Sequence, residues 1–343
     1  MSRILGGERL TFDEARAVMT DVLAGAAYPA QLAGLLCVLR HRGESVEELA
    51  GFSSAMQEAA TPLEGLEDSI RARLIDTCGT GGDRRGTINV STAAALVAAG
   101  AGAQVCKHGN RAATSQTGSA DVLEALGVAI DLDPSGVIEC IEQTNIGFCF
   151  APRYHPAMRF AGPVRKELGV PTAFNFLGPL VNPARVGRQV IGVSDSSAAE
   201  LMLEVLRVNG ASRAMVVYGH DGLDELTTTT TSTVLELRGG ERFAYEVDPV
   251  SLAIPAASLE DLRGGSPSEN ADRLGGILSG ERSAQSDIVC LNAAAALMVA
   301  DEADSLEEGY ERARSVIDDG SAAKALERLI EVSQSVAGRA PTT

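Results

Sequence analysis

Apolar and polar positions change their period along this chain. Over the first sixty residues the period is helical. Leu32, Leu35, Leu36 and Leu39 recur at i, i+3, i+4 and i+7, which predicts one buried helix face. Thr11-Phe12-Asp13-Glu14 and Ser45-Val46-Glu47-Glu48 each fit a capping box, where a hydroxyl and a carboxylate satisfy the free N–H groups of a helix start. Pro62 is expected to close the helix that begins near Ser45. From about residue 73 short apolar runs at 74–75, 104–106, 147–150, 190–193 and 214–218 alternate with helical stretches at 92–99, 120–126, 134–144 and 198–208. Such alternation predicts an α/β domain with a mostly parallel central sheet. Helix-like sequence punctuated by Pro156, Pro163, Pro171, Pro179 and Pro183 interrupts it. The expected organisation is a small helical domain over 1–70, completed by an insertion at about 163–187, and a larger α/β domain over 71–343. The C-terminal part returns to helices, at 284–300 and after a third capping-box match, Ser305-Leu306-Glu307-Glu308.

Composition narrows the function. Acidic residues outnumber basic ones 46 to 29, a formal net charge of −17. Nucleic acid and anionic membranes both require a positive footprint, so neither is an expected partner. No apolar run reaches the roughly 18 residues of a membrane span. The start, Met1-Ser2-Arg3-Ile4-Leu5-Gly6-Gly7, lacks the apolar core of a signal peptide. Six cysteines without a CxxC spacing read as reduced, mostly buried thiols, and the expected location is cytoplasmic. Nine of the 36 glycines fall between Gly79 and Gly127. That concentration is where chemistry is to be sought.

Asp76-Thr77-Cys78-Gly79-Thr80-Gly81-Gly82-Asp83 follows a strand candidate and precedes Thr87-Ile88-Asn89-Val90-Ser91-Thr92 and an alanine-rich helix. A glycine loop between strand and helix brings backbone N–H groups to a phosphate, helped by the helix N-terminus. Asn89, Ser91 and Thr92 are expected to add side-chain donors there. A dinucleotide fingerprint from Gly79 needs glycine at 84, where Arg84 stands; a Walker A reading from Gly81 needs lysine at 87, where Thr87 stands. Both fail.

Three further blocks carry charge. Lys107-His108-Gly109-Asn110-Arg111-Ala112 follows another strand candidate, where open α/β sheets bind ligands, and Ser119 is expected to cap the next helix. Tyr154-His155-Pro156 leads to Arg165, a side chain able to grip a carboxylate through a planar, two-pronged contact. Asp224-Glu225 sits after a glycine at a strand end, where two carboxylates can ligate Mg²⁺ and leave positions for water and substrate phosphate.

Together these blocks resemble the anthranilate phosphoribosyltransferases, in family order and over nearly the whole chain. The resemblance implies a nucleoside phosphorylase-like phosphoribosyltransferase fold: a small helical domain hinged to a larger α/β domain, paired into a homodimer through the helical domains. It implies transfer of the phosphoribosyl group of phosphoribosyl pyrophosphate to the amine of anthranilate, in tryptophan biosynthesis. The donor would be held by Gly79, Gly82, Asp83, Thr87, Asn89, Val90, Ser91 and Thr92, by Lys107, His108, Gly109, Asn110, Arg111, Ala112, Ala113, Thr114 and Ser115, and by Ser119. Ser91, Asp224 and Glu225 would bind Mg²⁺, as two ions accompanying the donor. Anthranilate would meet Gly79, Asn110 and Arg165, with His108 and His155 lining the pocket. No general base stands out, and His108 is the one candidate. The threonine run 227–231 departs from the Gly-Pro turn of many relatives. Alternatives that share the fold class are a pyrimidine nucleoside phosphorylase, a phosphoribosyltransferase with another aromatic acceptor, and a phosphate-binding protein without activity.

Overall fold

A computed structural model describes residues 1–81, 85–112 and 116–339. Five helices come first: α1 Ser2–Leu5, α2 Phe12–Leu23, α3 Pro29–Arg42, α4 Val46–Ala59 and α5 Asp68–Arg71. Strand and helix then alternate through β1 Ile75–Gly79, α6 Val90–Gly100, β2 Val105–Gly109, α7 Ser119–Ala125, α8 Pro134–Thr144 and β3 Ile146–Phe150. Three helices follow, α9 Ala151–Tyr154, α10 Gly162–Leu168 and α11 Ala173–Leu180, before the sheet resumes with β4 Arg188–Gly192, α12 Ser196–Val208 and β5 Arg213–Gly219. A hairpin, β6 Ser232–Arg238 and β7 Glu241–Val247, precedes α13 Pro267–Leu278, α14 Ala284–Val299, α15 Leu306–Asp318 and α16 Ser321–Arg339.

The capping boxes at Thr11 and Ser45 form. At Ser305 only half of one does: the Glu308 N–H donates to the serine hydroxyl, but the Glu308 carboxylate accepts from the Asp304 N–H instead. Helix α4 ends at Ala59, where Ala60 is already extended, so Pro62 follows the stop rather than making it. Gly118, not Ser119, is the N-cap of α7; Asp121 closes that turn by accepting from the Gly118 N–H at 2.9 Å.

The described strands form one sheet in the order β3-β2-β1-β4-β5-β6-β7. Pairs among β1 to β5 are parallel, and β5-β6-β7 are antiparallel. Successive strand residues face opposite sides. Val190, Met215, Val217 and Val234 accordingly join a core with α6, α14 and α16, while Ile191, Ala214, Val216, Leu235 and Leu237 join a second core with α2, α3, α4 and α12. Ala161, Val164, Phe174, Leu177 and Leu180 of the 155–185 segment belong to that second core too. Chain order reverses between β1 and β4, and open α/β sheets bind ligands at the carboxyl ends of such strands.

Candidate active site

Gly79 and Gly192 end β1 and β4 side by side, and the Asp224 loop lies across both. A Cβ at Gly192 would fall on the Asp224 carbonyl oxygen, and one at Gly79 on Asp224 Oδ2, so only glycine admits the loop. Asp224 Oδ2 accepts from the Gly81 N–H at 2.8 Å, and Glu225 Oε1 accepts from the Ser91 N–H at 3.2 Å, at the start of α6. Two carboxylates therefore reach the backbone donors of the glycine loop and of a helix N-terminus. The threonine run that departs from the family pattern supports this loop. Thr227 and Thr229 donate their hydroxyls to Asp221 Oδ2, and the Leu223 N–H donates to Asp221 Oδ1.

The glycine loop is fastened from a distant part of the chain. Thr87 bridges Arg263 in antiparallel fashion, and the Gly264 N–H donates to the Gly86 carbonyl at 2.8 Å. Asn89 donates to the Thr117 carbonyl and accepts from Asn270 at 2.9 Å, while Asn270 also accepts from the Gly265 N–H. Of Asn89, Ser91 and Thr92, expected to add side-chain donors, Asn89 ties the loops together, and Thr92 is buried with Val90 in the core. Ser91 alone of that trio keeps its hydroxyl at the site, where Lys107 Nζ donates to it at 3.4 Å.

Lys107, from β2, is buried, and its ammonium also donates to the Thr77 carbonyl oxygen of β1. Asp76 lies beside it, fully buried. Burial pushes its carboxyl up, while Lys107, Asn182 and the His108 N–H pull it back. Beyond β2, the Ala120 N–H and the Ser119 hydroxyl both donate to the Asn110 carbonyl. Gly109 has no room for a side chain because Ser119 Oγ and the Phe148 ring stand there. The Arg111 guanidinium pairs with Asp121 at 3.1 Å and Glu124 at 2.7 Å. The Ala112 N–H is taken by Asp121 Oδ2. Gly82, Asp83, Ala113, Thr114 and Ser115 lie outside the described residues.

His108, on β2, and His155, just after α9, stand with ring centroids 5.0 Å apart. His108 Nδ1 faces the Gly178 carbonyl at 3.3 Å, and Nε2 of both His108 and His155 is enclosed without a partner. Burial lowers His108 to about 3, helped by His155, and lowers His155 to about 4. A histidine so weakly basic is a poor proton acceptor at neutral pH and a good neutral pocket wall. Arg165, half-buried on α10, lies 5.0 Å over the Phe174 ring. Burial pulls its guanidinium below the usual arginine range, and among the described residues no carboxylate or carbonyl takes it. A half-buried cation of this kind is a ready receptor for a ligand carboxylate.

Asp76, Asn182, Gly192, Asp221 and Asn270 escape a reading of the sequence alone. Gly192 alone carries a local signal, a glycine closing an apolar run just as Gly79 does. Among the described residues no group of three or more His, Cys, Asp or Glu is gathered for a metal. The hard oxygen donors here are the Asp224–Glu225 pair and Ser91 Oγ. That set suits Mg²⁺, which takes one or two carboxylates and completes its shell with water and substrate phosphate.

Residues 1–60 match the glycosyl transferase family helical bundle domain, and residues 71–323 match the glycosyl transferase family a/b domain. The anthranilate phosphoribosyltransferase of Roseiflexus castenholzii is 50% identical over 333 residues, 96% of each chain. The crystal structure of anthranilate phosphoribosyltransferase from Thermus thermophilus superposes with a TM-score of 0.91 at 44% identity, over 97% of this chain and 98% of that one. The Saccharomyces cerevisiae enzyme matches in two complexes. With phosphoribosyl pyrophosphate and Mg the TM-score is 0.85 at 27% identity, over 94% and 93% of the chains. With 4-fluoroanthranilate it is 0.87 at 25% identity, over 97% and 96%. With the glycine loop, the Asp224–Glu225 loop and Arg165 on the same scaffold, the chain belongs to the anthranilate phosphoribosyltransferase family.

Proposed function

We infer that this protein transfers the phosphoribosyl group of phosphoribosyl pyrophosphate to anthranilate, releasing pyrophosphate, as a step of tryptophan biosynthesis. One observation carries the reading: Arg165 is half-buried and, among the described residues, pairs with no carboxylate, while the glycine loop, the N-terminus of α6 and the Asp224–Glu225 pair meet at the carboxyl end of β1. A pyrimidine base has no carboxylate for Arg165, whereas anthranilate has one.

The glycine loop, the N-terminus of α6 and Lys107 face the phosphates of the donor; Arg165 and the neutral His108–His155 wall orient the flat acid. The amine lone pair forms the bond to the anomeric carbon as the bond to the pyrophosphate oxygen breaks, and that oxygen keeps the electron pair. The proton lost by the amine passes to solvent or to the departing pyrophosphate, since His108 is too weak a base. Asp224, Glu225 and Ser91 would hold Mg²⁺, which would supply charge neutralisation for the leaving group. Two such ions would accompany the donor. Positioning and fixed dipoles therefore supply the acceleration.

The helical domain comprises 1–70 with the insertion at about 163–187; the core shared by Ile4 to Met56 and Ala161 to Val181 supports this, whereas Leu63, Leu66 and Ala184 pack in the other core. A homodimer forms through it. Leu5 is 66% and Tyr28 73% exposed on this side, and both are apolar enough to be worth covering. No described helix is long and apolar enough to cross a membrane, and the enzyme works in the cytoplasm on small dissolved substrates. The test is loss of anthranilate fluorescence on adding donor and Mg²⁺, with pyrophosphate release measured in parallel. No consumption of anthranilate, with turnover of phosphate and a pyrimidine nucleoside instead, overturns the reading.

A further inference from the structure

The ladder between β1 and β2 opens almost as soon as it begins. These strands share one registered pair, Ile75 with Val105, whereas β2 and β3 pair over five positions, Val105 to Gly109. Beyond the opening, the Cys106 carbonyl and the His108 N–H of β2 are taken by side chains. Asn182 Nδ2 donates to the Cys106 carbonyl at 2.8 Å and to Asp76 Oδ2 at 2.9 Å, and the His108 N–H donates to Asp76 Oδ1 at 3.4 Å. Both side chains are buried. Asn182 is itself fixed: its Oδ1 accepts from the Ala184 N–H at 2.9 Å, and its carbonyl accepts from Gln57 of α4 at 2.9 Å. Backbone groups left open by the splayed strands would otherwise be buried and unsatisfied.

We propose that Asp76 and Asn182 are positioning residues that wedge β1 from β2 and so set the spacing between the glycine loop at the end of β1 and Lys107-His108 on β2. Neither touches substrate. Their effect passes through Lys107, which spans the opening to the Thr77 carbonyl and Ser91, and through His108, which faces the acceptor. The same dyad thus adjusts both halves of the cleft. The inference rests on the reaction assigned above, and its test separates the two.

Steady-state kinetics and thermal melting are measured on wild type, Asp76→Asn, Asn182→Ala and a control, Thr144→Val. The control loses a buried hydroxyl that bonds Cys140 and Ile146 carbonyls, away from the cleft. The expected result is a fall of roughly 10- to 100-fold in donor kcat/KM for both dyad variants, the scale seen when groups that orient a binding residue are removed. Anthranilate KM rises as well, and Thr144→Val keeps wild-type kinetics at a lowered melting temperature. Dyad variants that melt lower but keep wild-type kcat and both KM values overturn the proposal, because the pair is then scaffold only. If Asp76→Asn and Asn182→Ala do not fold, Asn182→Ser decides by the same criteria. A wild-type chain without turnover of the two substrates refutes the assigned reaction instead.

Discussion

The buried histidine pair makes a prediction that needs no substrate. His108 and His155 lie with ring centroids 5.0 Å apart, each with Nε2 enclosed and unpartnered. A proton added to either ring would be a buried charge facing the other imidazole, and His108 also has Lys107 next to it. Burial therefore holds His108 at about 3 and His155 at about 4, against about 6.5 in an unfolded chain. Below pH 6.5 the unfolded chain binds protons that the folded one refuses, so stability falls as pH falls. The contribution is complete above 6.5 and is lost progressively down to about 3–4. At pH 5.5 each histidine withdraws about 1.4 kcal/mol, and the pair about 2.5–3 kcal/mol, relative to pH 7.5.

Urea unfolding at pH 7.5 and 5.5 measures this, with wild type set against a His108→Asn/His155→Asn double variant. The variant shares the other titrating groups, so the difference between the two pH dependences isolates the pair. Wild type is expected to lose about 2.5–3 kcal/mol more than the variant over that interval. A proton NMR titration placing either ring near 6.5 in the folded protein refutes the reasoning, as does an equal pH dependence in both proteins. The corollary for turnover is that kcat/KM for anthranilate shows no break near pH 6.5 from these rings.

Arg165→Ala should lower kcat/KM for anthranilate about 10- to 150-fold, the worth of a charge-assisted hydrogen bond of about 1.5–3 kcal/mol, with donor KM unchanged. Arg165→Lys should recover little, since an ammonium cannot reproduce the planar fork; full recovery would count against the clamp. Asp224→Asn and Glu225→Gln should each raise the Mg²⁺ concentration for half-maximal activity, and unchanged titrations remove them as ligands. Gly192→Ala drives a methyl group onto the Asp224 carbonyl oxygen. Overpacking of that kind costs about 1–3 kcal/mol, and the displaced loop should raise the Mg²⁺ requirement as well; a variant with wild-type melting and metal response denies the close approach.

Strands β3 to β5 are legible in the sequence because fully buried parallel strands read as short apolar runs between turn signals; β1 and β2 are legible only at their starts, since Asp76-Thr77 and Lys107-His108, read as following the strands, lie within them. The hairpin of β6 and β7 is not, although Gly239-Gly240, with φ of 59° and 84°, joins two alternating stretches. Strand β6 is buried on both faces, Val234 in one core and Leu235 and Leu237 in the other, and Glu236 is buried beside Arg213, so the period of two is masked. Lys107, His108, Arg165 and Asp224–Glu225 can be picked out because each sits in a short block at a strand end or in a loop. Asp76 with Asn182 and Asn89 with Asn270 are separated by 106 and 181 residues. Their roles exist only as pairs, so no local pattern announces them. Arg111 is the converse case, legible in its own block while its partners are not. In sequence it reads as a cation for phosphate, and Asp121 and Glu124 come round on α7 to pair with it.

A net charge of −17 on an enzyme of two anions is resolved by where the cations stand and what they are attached to. Beyond a Debye length of about 8 Å the surface charge is largely screened, so the field at the cleft is local. Its sources lie on two different packing units. Lys107, the glycine loop and the α6 N-terminus are carried by the sheet and its first core, whereas Arg165 is carried by α10, whose apolar partners lie in the core of the N-terminal helices. Lys107 and Arg165 are therefore held by separate hydrophobic clusters, and their spacing depends on what ties one cluster to the other. The bonds from His108 to the Gly178 carbonyl and from Gln57 to the Asn182 carbonyl are two such ties, and both converge on the end of α11. Acceptor preference can then change through α10 and α11 without disturbing the phosphate cradle, whereas any change at the end of α11 is felt on both sides.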